Sequence, residues 1–158
     1  MSGFHILQLS RAHVPEDGRI TEETLYDNDI VNYYSDYIRD EINNPKERKE
    51  VLSGLAKDLE GVASVDIKKE TVTFLDPNTV REAYRANMEA KLAELNAKAQ
   101  AGRLDDILFR VCGAEFRNNN DLVVLDNGGT MCLVTFIGNM TYPGERTLHV
   151  GAILDAHC

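Results

Sequence analysis

Cysteine is scarce in this chain: three residues in 158, Cys112, Cys132 and Cys158. An odd, sparse count gives no disulfide framework and points to a reducing compartment. Long apolar runs are missing as well. None approaches the roughly 18 to 20 residues of a membrane span. The opening MSGFHILQLSRAH has no basic stretch leading into an apolar one, so it does not read as a secretion signal. A cytoplasmic chain with no membrane contact is the expectation. Positive charge is also short, with 17 Lys and Arg against 26 Asp and Glu and a formal net charge of −9. A field of that sign repels phosphates, so direct binding of nucleic acid is not expected.

Catalytic signatures are absent too. The histidines and cysteines are His5, His13, Cys112, Cys132, His149, His157 and Cys158, and no two non-terminal ones stand at the short spacing of a zinc site. Cys112 ends an expected helix, so no helix N-terminus activates its thiol. Cys132 sits in an apolar run and reads as a structural residue. Asp105 and Asp106 are helix neighbours that do not face one cleft. They are better placed as first-turn acids meeting the helix dipole. The glycines of Asp126-Asn127-Gly128-Gly129-Thr130 lead into a strand, without the lysine of a phosphate loop, and read as a hairpin turn. No cofactor, no metal and no enzymatic activity are therefore expected. If a site were assembled from distant residues, His149 and Asp155 would be the first suspects.

What is present is a folding pattern. The 43% hydrophobic and 27% charged content suits a folded chain, and the length suits one domain over 1–158. The most legible element runs from Asp76 to Gly102. Asp76 is an N-cap, Pro77 a first helical residue and Gly102 a left-handed stop. Val80, Tyr84, Met88, Leu92, Leu95 and Ala99 form one apolar stripe on a helical period. Phe4–Leu9 reads as a strand and Val14–Thr24 as a loop. A helix is expected from Asn28 or Asp29 to Asn43, with Ile30, Tyr34, Tyr37, Ile38 and Ile42 inward. Asn44 and Pro45 open the next helix, which Gly61 stops. Residues 62–75 read as a hairpin whose turn lacks glycine and asparagine, and 104–111 as a short helix. Leu122–Leu125 is a strand, Thr130–Ile137 a central strand covered on both faces, and Thr147–Leu154 the last strand, after a turn at Tyr142–Glu145. The order predicts an α+β domain: an antiparallel sheet of about five to six strands with four helices on one face, one of them long, at about 77–101.

Charge is unevenly spread along this pattern. From Pro15 to Pro45 there are nine acids and two bases, Arg19 and Arg39. On the expected helix Asp29, Asp36 and Asp40 share a face. Together with Glu22, Glu23, Asp27, Tyr33 and Glu41 they make one acidic, tyrosine-bearing candidate surface. It suits a basic protein partner, for example the nucleic-acid-binding groove of a larger protein. In composition the chain is similar to small acidic inhibitors of nucleases and defence effectors, phage anti-CRISPR proteins among them. The expectation is a non-enzymatic regulator or inhibitor. The alternatives are a subunit of a homo-oligomer, completed through the long helix or the sheet, and an enzyme whose site the sequence hides.

Overall fold

The computed structural model describes residues 3–103, 121–139 and 147–158, with every side chain there except those of Tyr84 and Val134. Chain order is β1 (Gly3–Ser10), two 3-10 turns (Glu16–Gly18 and Glu23–Leu25), α1 (Asp29–Tyr34), β2 (Tyr37–Glu41), α2 (Pro45–Asp58), β3 (Ala63–Asp66), β4 (Thr71–Phe74), α3 (Pro77–Gln100), β5 (Leu122–Leu125), β6 (Thr130–Cys132), α4 (Leu133–Gly138) and β7 (Thr147–His157). The seven strands form one mostly antiparallel sheet in the order β3-β4-β7-β1-β5-β6, with β2 also paired to β7. The α+β class stands, with seven strands among the described residues where five to six were expected. The expected helix at 104–111, Asp105, Asp106, Cys112 and the turn at 142–145 lie outside the described residues.

Local chemistry explains the elements that match expectation. The Asp76 side chain accepts from the backbone N–H groups of Asn78 and Thr79, Pro77 opens α3, and Gly102 follows it at φ 74°. Asn44 caps α2 in the same way, through the N–H of Lys46 at 2.9 Å. The β3–β4 hairpin turns without glycine because Glu70 takes φ 50°, a strain of roughly 1–2 kcal/mol for a residue with a Cβ.

Four expectations are corrected. First, the last strand, not Thr130–Ile137, is central. β7 pairs with β1 along one edge and with β4 and then β2 along the other. Residues 130–137 form a three-residue strand that turns at Cys132 into α4. The i, i+4 spacing of Leu133 and Ile137 puts both in the core, at 1% and 2% exposure. An apolar run is compatible with a buried strand or a buried helix turn, and only packing chooses. Cys132 is partly buried at that turn. Second, β1 and β5 run parallel, with Ile6 opposite Leu122. Third, both faces of the sheet are covered. One carries α2, the start of α3 and α4, where Leu52, Leu55, Leu59 and Val80 pack on Leu9, Phe74 and Ile153. The other carries the segment before β2, through Ile20, Leu25 and Val31, with Ile38 of β2, on Phe4, Ile6 and Leu154. Each fully buried Leu or Ile contributes roughly 1.5–3 kcal/mol. Fourth, Leu92 of the α3 stripe is 60% exposed, while Val80 near the start of the helix is at 1%.

One bulge lets β7 serve both faces. Leu7 pairs with Ile153 and Leu9 with Val150, so Gly151 and Ala152 together oppose Gln8. Val150 and Ile153 thereby face one core, and Ala152, Leu154 and Ala156 the other. A Cβ on Gly151 would stand 2.5 Å from Gln8 Oε1, so a side chain there would displace Gln8 from its place in the bulge.

Candidate docking surface

The expected helix from 29 to 43 does not form as one element. Asn28 caps α1, accepting from the Val31 N–H at 3.0 Å, and the helix lasts six residues. Ser35 is extended and β2 follows. Two contacts outweigh the helical period. Asn28 Nδ2 donates to Thr130 Oγ1 at 2.9 Å, and the Asp36 N–H donates to the His157 carbonyl at 2.8 Å, so the chain is captured by the edge of β7. Asp29, Asp36 and Asp40 therefore do not share a helix face. Asp29 opens α1, Asp36 precedes β2, and Asp40 lies within it.

Glu22 and Glu23 enter the second 3-10 turn, closed by Thr21 and Thr24 on each other's backbone. Leu25 pins that turn to the sheet at 4% exposure and Val31 pins α1 at 2%. Most of the remaining side chains point to solvent. Glu22, Glu23, Asp27, Asp29, Asp36, Asp40 and Glu41 are all exposed.

The tyrosines are the unexpected part. Tyr26 and Tyr33 are 79% and 81% exposed, and Ile30, Tyr34 and Tyr37 are 40%, 43% and 45% exposed. Tyr34, Tyr37 and Ile30 were expected inward, on the stripe of a helix that does not exist. Tyr33 and Tyr34 meet edge to face at 5.0 Å, and Tyr37 lies flat on His157 with ring centroids 5.5 Å apart. The signal was present in the sequence: four of the six tyrosines fall between Tyr26 and Tyr37. Tyr33, expected on the candidate surface, is exposed there, and Tyr26, Ile30, Tyr34 and Tyr37 are exposed beside it.

The surface is negative without local compensation. Between Glu22 and Glu41 there are seven acids and one base, Arg39. Arg39 is already engaged, 2.6 Å from Asp155 and 3.1 Å from Asp40. It stands at a bulge in β2, between the pairs Ile38–Ala156 and Asp40–Asp155. A short, bulged, charged edge resists pairing with another strand.

β2 and β4 leave a gap along β7, and Arg48 of α2 fills it. Its guanidinium is 3% exposed. It donates to both oxygens of Glu70 at 2.8 and 2.7 Å, to the Ile42 carbonyl at 3.2 Å and to the Gly151 carbonyl at 2.8 Å. The Arg48 hydrogen bonds hold the Glu70 carboxyl below the ordinary carboxylate range, against a partial desolvation that pushes it up. The start of the segment that covers this face is fixed separately by Gln8. Its Oε1 accepts from the N–H groups of Ile20 and Ala152 at 3.1 and 3.0 Å, and its Nε2 donates to the Gly18 carbonyl.

The suspected catalytic residues do not converge. Asp155 is held by Arg39, and His149 stands edge-on to His13 with ring centroids 6.2 Å apart. Among the described residues no three His, Cys, Asp or Glu side chains group as metal ligands, and no helix is long and apolar enough to cross a membrane. No protein-family model, curated protein or solved structure matches the chain.

Proposed function

We propose that the chain is a non-enzymatic interaction protein, a regulator or inhibitor. It would dock the acidic, tyrosine-bearing surface of Tyr26–Glu41 onto the basic surface of a larger protein, such as a nucleic-acid-binding groove. The observation that carries this reading is the exposure of Tyr26 and Tyr33 among Asp27, Asp29 and Asp36 on a segment pinned by Leu25 and Val31. Exposed tyrosine offers contact area and a hydrogen-bonding hydroxyl at small entropic cost, which is why it concentrates at interface hot spots. The surrounding carboxylates would speed encounter with a cationic partner and turn away polyanions.

The test is affinity capture from a lysate of the native host at low and high salt, with three baits. These are the wild type, Asp29→Lys with Asp36→Lys, and Tyr26→Ala with Tyr33→Ala. The expected result is a basic protein held at low salt, released by high salt and lost from both variants, whose melting temperatures stay near wild type. The tyrosine pair is expected to weaken the purified complex at least tenfold, since hot-spot truncations cost about 2 kcal/mol or more. Equal recovery on all three baits, or recovery of the chain itself alone, would reject the reading.

A further inference from the structure

We propose that Asn127 is a modification site: it deamidates spontaneously, and the isoaspartate that results loosens the hold on α1. The inference does not depend on the docking reading. Among the asparagines of the chain only Asn127 is followed by glycine. It lies exposed at the tip of the β5–β6 hairpin, where Gly128 follows at φ 79°.

The reaction needs water and no other partner. The backbone nitrogen of Gly128 attacks Cγ of Asn127 and closes a succinimide ring. The side-chain amide nitrogen leaves as ammonia, taking up the proton that Gly128 loses. Water then opens the ring at either carbonyl. Opening at Cγ leaves aspartate. Opening at the main-chain carbonyl leaves isoaspartate, whose main chain runs through Cβ and Cγ. Either product adds a negative charge. Glycine at 128 has no Cβ to obstruct the closing ring. Two contacts act on the reacting atoms in opposite senses. The Gly129 N–H donates to Asn127 Oδ1 at 2.9 Å, where negative charge develops during the attack, so it assists. The Gly128 N–H donates to the Leu125 carbonyl at 2.8 Å, which withholds the nucleophile. The reaction therefore waits on local opening of that turn bond, and an exposed hairpin tip opens far more readily than a core. Folding slows the site without silencing it.

A short relay of hydrogen bonds joins this tip to α1. Thr130 Oγ1 donates to the Gly128 carbonyl at 3.3 Å and accepts from Asn28 Nδ2 at 2.9 Å. Asn28 Oδ1 in turn accepts from the Val31 N–H at 3.0 Å, as the cap of α1. Isoaspartate lengthens the main chain by a methylene inside this tight turn. The Gly128 carbonyl then leaves the register set by the Val124–Thr130 pair, and the relay to Asn28 loses its far end. Aspartate keeps the chain length and an acceptor for the Gly129 N–H, so it leaves the relay in place.

The experiment is an incubation of the full chain in mildly alkaline buffer, with peptide mapping by mass spectrometry to read conversion at each asparagine. Asn127 is expected to convert ahead of every other asparagine, faster as pH rises and more slowly than in the urea-unfolded chain. Asn127→Gln, whose longer side chain cannot close the same ring, should stay intact at that position. The isoaspartate form, isolated by ion exchange, and freshly prepared Asn127→Asp are then compared with wild type by hydrogen exchange. The Val31 amide should exchange roughly fivefold faster in the isoaspartate form, the scale of a lost neutral hydrogen bond, and at the wild-type rate in Asn127→Asp. A native Asn127 that stays intact while the unfolded chain converts, or conversion spread equally over the other asparagines, overturns the site. Unchanged Val31 exchange in the isoaspartate form overturns its effect on α1.

Discussion

Arg48 is the one charged side chain buried among the described residues, and its position shows what a single residue decides here. Three neighbours depend on it: the Glu70 carboxylate, the Ile42 carbonyl and the Gly151 carbonyl. Removing one partner of a buried ion pair strands the rest. Glu70 keeps 30% exposure and can be rehydrated, so Arg48→Met is expected at the low end of such losses, about 3 kcal/mol. Urea unfolding measures it. Arg48→Lys should not restore the loss, because a lysine cannot reproduce the two-pronged contact. The pair also sets an acid dependence. The folded-state value of Glu70 is lowered from 4.5, so its contribution is complete above that pH and disappears as pH falls through the lower folded value. The stability gap between wild type and Glu70→Gln should therefore be constant at neutral pH and close under acid. A gap that widens on acidification would contradict the assignment.

At the scale of elements, the segment before β2 is an irregular cover held by a few anchors. Gln8 is one of them, because its side chain serves Ile20, Ala152 and Gly18 at once. Gln8→Ala leaves two partly buried N–H groups without an acceptor, at about 1–3 kcal/mol each. The expected outcome is a lowered unfolding free energy and faster hydrogen exchange at the Ile20 and Ala152 amides. Exchange that is unchanged at those two positions would show that the bulge holds the loop without Gln8. The same scale explains the failed helix. Residues 29–43 carry a helical period, yet α1 stops at Tyr34. The backbone groups of β2 gain a ladder with β7 that a free-standing helix cannot match. Helical period is a weak prior where a partner strand is on offer.

On the scale of the whole molecule, most of the net charge of −9 sits on one cover of the sheet, between residues 15 and 45. Association with a basic partner should accordingly slow as salt rises, with the greater effect on the on-rate. Stopped-flow binding across a salt series checks this, and a flat on-rate would remove the electrostatic part of the proposal. The chain by itself determined the local grammar. Asn44 marked the start of α2, Asp76, Pro77 and Gly102 both ends of α3, the 62–75 hairpin was legible, and the acidic bias before Pro45 was open to simple counting. These are short-range effects: a cap, a turn or a charge acts on its own neighbours. Tertiary structure alone decided that Thr147–His157 is the central strand and that Leu133 turns into helix. It also decided that Tyr26, Tyr34 and Tyr37 face outward. Apolar and aromatic residues are ambiguous by themselves, since burial depends on which distant surface reaches them first. Here β7 claimed β2, Leu25 and Val31 filled the available floor, and the tyrosines were left on the surface.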